Sequence, residues 1–235
     1  MESKTLEDLV EGNKMYQLVT ERLEVKNPSS TDLFERFDME AELMALILDL
    51  YNEDDTDFPY EKLQNFPPDQ VLSYLQASHK LYLSKKLPEI ELTMEHFFSR
   101  YGESHPLLTS LTLFFNQYKN RLVAHIRMEE KEFFPFIKRL IAASKGELTS
   151  AEVNEILATK SIDDFNDHHD PIEDDLKEVS ALIHTYSSKE ETPLPFRVFL
   201  NQVELFELEL RKHAIIEDHV LVPIAKELER TLKQK

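Results

Sequence analysis

Apolar residues along this chain recur at intervals of three and four, and no stretch alternates apolar with polar for long enough to build a sheet. The pattern predicts an all-α protein. Short helical stretches fall around residues 6–25, 31–37 and 39–52, followed by an acidic, Pro-containing segment over 52–68 that reads as a linker. Longer helices come next. One is predicted over 69–101, and a second from Pro106, a favourable first-turn residue, to 144. Thr149 with Glu152 reads as a capping box that opens a short helix. Ser161 with Asp164 marks a helix reaching to 186, and Thr192-Pro193 opens a last one that runs nearly to Lys235. Four long amphipathic helices with short links predict a four-helix bundle over residues 67–235, preceded by a small helical domain over 1–66.

One part of the pattern repeats. The segment 124–140, with His125, Glu129 and Pro135, lines up at an offset of 88 with 212–228, where His213, Glu217 and Pro223 take the matching places. Upstream, His79 and His169 are separated by 90, so each half reads as a helix with one His followed by a helix with His-x3-Glu, an apolar run and Pro. Residues i and i+4 share a helix face, so each His-x3-Glu points a nitrogen and a carboxylate at one spot. Four inward His and two inward Glu are costly to bury alone, and two divalent or trivalent cations resolve that cost, with carboxylates able to bridge them. Such a ligand set leaves positions open for a small exogenous group such as an oxo bridge, dioxygen or nitric oxide.

His79 shares a helical stripe with Leu72, Leu75, Tyr82 and Lys86. At the other upstream position two histidines are adjacent. His169 falls on the apolar stripe of Phe165, Ile172, Leu176, Val179 and Ile183, and is preferred; His168, four residues before Ile172, is the alternative. His96 and His105 suit surface, cap or supporting roles, and His184 and His219 match nothing in the other half. Glu130 and Asp218 directly follow the two Glu, but the repeat favours the acids at i+4. The Phe pairs at 97–98, 114–115 and 133–134 read as core that also walls the site from water.

Composition narrows the chemistry further. The 235 residues include 27 Lys and Arg against 45 Asp and Glu, a formal net charge of −18, with no Cys and three Gly. Without Cys there is no disulfide framework, thiolate metal site or thiol nucleophile, which leaves His and carboxylate as ligands. Three scattered Gly form no phosphate-binding loop. The acidic balance argues against nucleic acid and anionic membranes as partners. The first ten residues lack an apolar stretch, and apolar runs such as 43–48 are too short to span a bilayer, so a cytoplasmic location is expected. The acidic runs 53–55 and 173–175 lack the spacing and Gly of a calcium loop and read as solvated faces.

His125-x3-Glu129 with Lys131-Glu-Phe-Phe-Pro, repeated as His213-x3-Glu217 with Val220-Leu-Val-Pro, resembles the hemerythrin-like domain, and in particular the di-iron proteins that repair damaged iron–sulfur clusters. His79 followed by Leu87-Pro88 and His169-Asp-Pro-Ile-Glu support the likeness, which covers about residues 70–230. Residues 30–43 are similar to the small helical domain that precedes the bundle in many of these repair proteins, although its frequent cysteines are missing. The resemblance implies two iron ions, held by His79, His125, His169 and His213 as terminal ligands and by Glu129 and Glu217 as bridging carboxylates. It implies repair of iron–sulfur proteins after nitrosative or oxidative stress, by iron delivery or by nitric oxide or oxygen chemistry; turnover as an enzyme is left open. The alternative is a reversible binder or sensor of oxygen or nitric oxide. Oxygen-carrying hemerythrins use a His-x3-His pair, which this chain lacks.

Overall fold

The computed structural model describes residues 21, 41–52, 58–101, 106–166 and 194–234. The fold is all-α: long helices in bundles with short N-terminal helices, as a hemerythrin-like four-helix bundle with added helices requires. In chain order these are α1 Ala41–Asn52, α2 Tyr60–Leu63, α3 Pro68–Leu81, α4 Leu87–Tyr101, α5 Pro106–Met128, α6 Phe134–Ser144, α7 Ser150–Thr159, α8 Ile162–Asn166, α9 Leu194–Ile216 and α10 Val222–Lys233. Among the described residues, three five-residue π-helical turns carry one long helix into the next: Tyr82–Lys86 joins α3 to α4, Glu129–Phe133 joins α5 to α6, and Glu217–Leu221 joins α9 to α10. Apart from Glu21, which is helical, the expected helices over 6–25 and 31–37, and the stretch from 167 to 186, lie outside the described residues. Among the described residues no helix is long and apolar enough to cross a membrane.

The π turns have a local cause. Pro88, Pro135 and Pro223 each lie six residues after the first residue of a π turn. Proline offers no N–H, and its ring crowds the carbonyl four residues back, here that of Ser84, Lys131 or His219. Widening the preceding turn relieves the clash while the other backbone bonds are kept at i→i+5 spacing. Phe134 N–H donates to the Glu129 carbonyl and Val222 N–H to the Glu217 carbonyl in this way.

Shorter elements are set by their ends. Thr149 caps α7 with the full capping box: its hydroxyl accepts from Glu152 N–H, and the Glu152 carboxylate accepts from Thr149 N–H at 2.8 Å. α6 stops at a Schellman arrangement, where Gly146 N–H donates to Ala143 and Glu147 N–H to Ala142. Gly146 has φ 76°, a left-handed conformation that a side chain would strain. The buried Glu229 carboxylate accepts from Ile162 N–H at 3.1 Å, at the start of α8.

The chain packs as two compact units. One draws on Met1–Leu81, Phe136–Ile162 and Ile215–Lys235, the other on Tyr82–Pro135 and Asp163–Ala214. In the first, Leu43, Ile47, Leu63, Val71, Tyr74 and Val220 are buried. Phe58 and Leu63 belong to that core, so the second half of the expected linker is packed structure. The second core is a set of bundle stripes: Leu87, Ile90, Met94 and Phe97 on α4, Phe115, Tyr118, Leu122 and Ile126 on α5, and Phe199, Val203, Phe206 and Leu210 on α9. All follow the three-and-four spacing of a packed helix face. The Tyr82 ring meets Phe206 edge to face at 5.5 Å, a geometry that adds about 0.5–1.5 kcal/mol to area burial.

Candidate metal centre

The candidate ligands prolong these apolar stripes. On α9 the series Val203, Phe206, Leu210 runs on to His213 and then Glu217; on α5, Tyr118 and Leu122 run on to His125 and then Glu129. A stripe that faces the core carries its next members inward as well. Hence Glu129 is 0% exposed and Glu217 1%, while Asp218, the next residue along, is exposed. Glu130 is half-buried. His213 and His79 are buried too, His79 in the last turn of α3.

Ligand atoms of His79, Glu129 and His213 all lie within 4.8 Å of one another. His125 joins through Glu129, its Nε2 2.8 Å from Glu129 Oε1 across one helical turn. Glu217 is buried one turn beyond His213 and stands outside the three-residue group. His169, and His168 as its alternative, lie outside the described residues, as do His105 and His184. His96 is exposed; His219 is exposed and stacks on Tyr60.

The donor set suits a transition-metal cation. Two imidazoles and a carboxylate converge in a buried place where charge is costly to hold, and a cation of charge two or three favours the ionised carboxylate there. Nitrogen and oxygen donors without sulfur fit iron, manganese or zinc. Glu129 and Glu217 each open a π turn, a widened backbone that recurs at functional sites.

Around His213 sits a polar group that the repeat does not reveal. The Tyr82 ring lies edge-on to the His213 imidazole at 5.7 Å, and its hydroxyl donates to the Glu209 carbonyl at 3.0 Å. The Glu209 carboxylate, 1% exposed, takes an ion pair from Lys86 Nζ at 3.5 Å, and Lys212 is buried beside His213. Tyr82 and Lys86 share the stripe of His79, and Glu209 lies four residues before His213, so spacing was the available signal. Arg121 holds the matching place in the first half of the repeat, which hides Glu209 from any comparison of the two halves.

The folded chain is thus an all-α protein with a buried His/His/Glu cluster capable of holding a metal. No protein-family model matches it. It is distantly homologous to proteins named iron-sulfur cluster repair protein ScdA. Two of them, from two strains of Staphylococcus epidermidis, are 26% identical to it over 153 residues, 65% of this chain and 64% of theirs. A third, from Staphylococcus haemolyticus, is 22% identical over 151 residues, 64% of each chain. The match therefore spans a little under two thirds of the length of these relatives.

Proposed function

We propose that the chain is a hemerythrin-like di-iron protein that repairs iron–sulfur clusters damaged by nitrosative or oxidative stress. The observation that carries this reading is the buried convergence of His79, Glu129 and His213, with His125 against Glu129. Similarity to the ScdA proteins supports the role in repair. In this reading His79, His125, His169 and His213 are terminal ligands and Glu129 and Glu217 bridge. The bundle is assigned to 67–235 and a small helical N-terminal domain to 1–66, in a cytoplasmic protein.

An iron pair, when bound, supplies labile and redox-active metal that can serve a damaged cluster or meet nitric oxide or oxygen. The residues of the chain do the rest. Imidazoles fix the positions of the metal ions, and Glu129 and Glu217 balance their charge. Phe133, Phe134 and Phe206, all buried, keep bulk water out of the bundle interior. Tyr82 packs against His213 and limits rotation of its ring.

Metal analysis of the purified protein is the first test: about two irons per chain are expected, and zinc alone or no metal refutes the reading. The second test adds iron-loaded protein to an iron–sulfur enzyme inactivated by nitric oxide. Recovery of activity is expected. No recovery, together with reversible oxygen or nitric oxide binding, assigns the chain to the alternative of binder or sensor.

A further inference from the structure

The π turn Glu217–Leu221 is held from outside its own helix. Pro223 has no N–H to give to the His219 carbonyl four residues back, and Gln64 Nε2 donates to that carbonyl instead, at 2.8 Å. On the same residue the Tyr60 ring stacks against the His219 imidazole, centroids 4.7 Å apart and planes 19° from parallel. Both contacts come from one short element, α2 with its C-terminal cap at Gln64. That element is anchored: Leu63 and Phe58 are buried, and the Phe58 ring packs on Tyr60 at 5.3 Å. All of these residues belong to the same compact unit.

We infer that Tyr60 and Gln64 are positioning residues for Glu217, clamping the π turn that presents it. This rests on the assignment of Glu217 as a metal ligand above. A π turn holds one more residue than an α turn, so losing it rotates everything beyond by about 100° around the helix axis. Two donor and stacking contacts at His219 keep the wide turn in place, while Glu217, Val220 and Leu221 stay buried. The clamp comes from the stretch just after the N-terminal helices, so a partner or ligand that displaces α2 acts directly on the Glu217 turn.

The test uses full-length protein with Gln64→Leu, which removes the donor, Gln64→Lys, which restores one of similar reach, and Tyr60→Ala. Amide exchange at Val222, whose N–H closes the π turn onto the Glu217 carbonyl, is followed in metal-free protein. Release of bound ferrous iron to a chelator is followed in loaded protein. Gln64→Leu and Tyr60→Ala are expected to speed both about two- to tenfold, as loss of one net hydrogen bond implies, with Gln64→Lys close to wild type. Unchanged exchange in Gln64→Leu overturns the clamp. Faster exchange with wild-type iron release overturns the positioning role. Faster exchange in a protein whose wild type takes up no metal refutes the metal assignment and leaves the clamp standing.

Discussion

Replacing Glu129 by Gln separates the cost of a buried charge from its use. Gln keeps the volume at a position 0% exposed and removes the negative charge and its donor strength. In metal-free protein the change is small, within about 1 kcal/mol: Gln keeps a polar group of the same shape 2.8 Å from His125 Nε2 and removes the cost of burying a carboxylate charge. With metal the balance reverses. At a free metal concentration a hundred times Kd, the wild type gains about 2.7 kcal/mol of stability. Loss of one anionic donor among three converging groups weakens affinity by at least about 100-fold, which leaves about 0.4 kcal/mol. For a chain of this size 1 kcal/mol is worth about 2–4 °C, so iron raises the wild-type Tm by about 5–11 °C and that of the variant by about 1–2 °C. The assay is anaerobic thermal unfolding of both proteins with and without ferrous iron. An undiminished iron-induced rise in Glu129→Gln refutes the assignment. A drop of more than about 3 kcal/mol in the metal-free variant shows instead that the carboxylate is a structural partner.

Further outcomes follow from the same geometry. Thr149→Ala removes the α7 cap and lowers stability by about 1 kcal/mol in denaturant unfolding. The Thr149 hydroxyl, and then its backbone N–H, hold the exposed Glu152 carboxyl below its ordinary value. Its contribution is present above the unfolded carboxyl pKa and fades as pH falls through the folded one, so the Thr149→Ala penalty is larger at pH 7 than at pH 3. Phe206→Ala empties a position 1% exposed in the second core and is expected to cost about 3–5 kcal/mol, read as a fall in the urea midpoint. Pro223→Ala returns an N–H to the His219 carbonyl and lets the helix tighten; iron release to a chelator should quicken while metal-free stability holds or rises. Equal release rates would show that proline does not maintain the π turn.

Much was legible along the chain because it depends on neighbours within one turn. The start at Pro106, the end at Ser144 and the capping box at Thr149 follow from local hydrogen bonding and backbone preference. The meeting of His125 with Glu129 is of the same kind, since i and i+4 share a face whatever lies opposite. The prolines of the repeat were visible too, but their effect was not: only the folded backbone shows each one widening the turn before it. That His79 reaches Glu129 and His213, that Glu209 and Lys212 are buried, and that Phe58 and Leu63 pack as core while Gln64 meets the His219 carbonyl were decided by tertiary structure. Periodicity says which face of a helix turns inward. Which inward groups from distant helices then come within bonding distance is set by packing, which no spacing along the chain encodes.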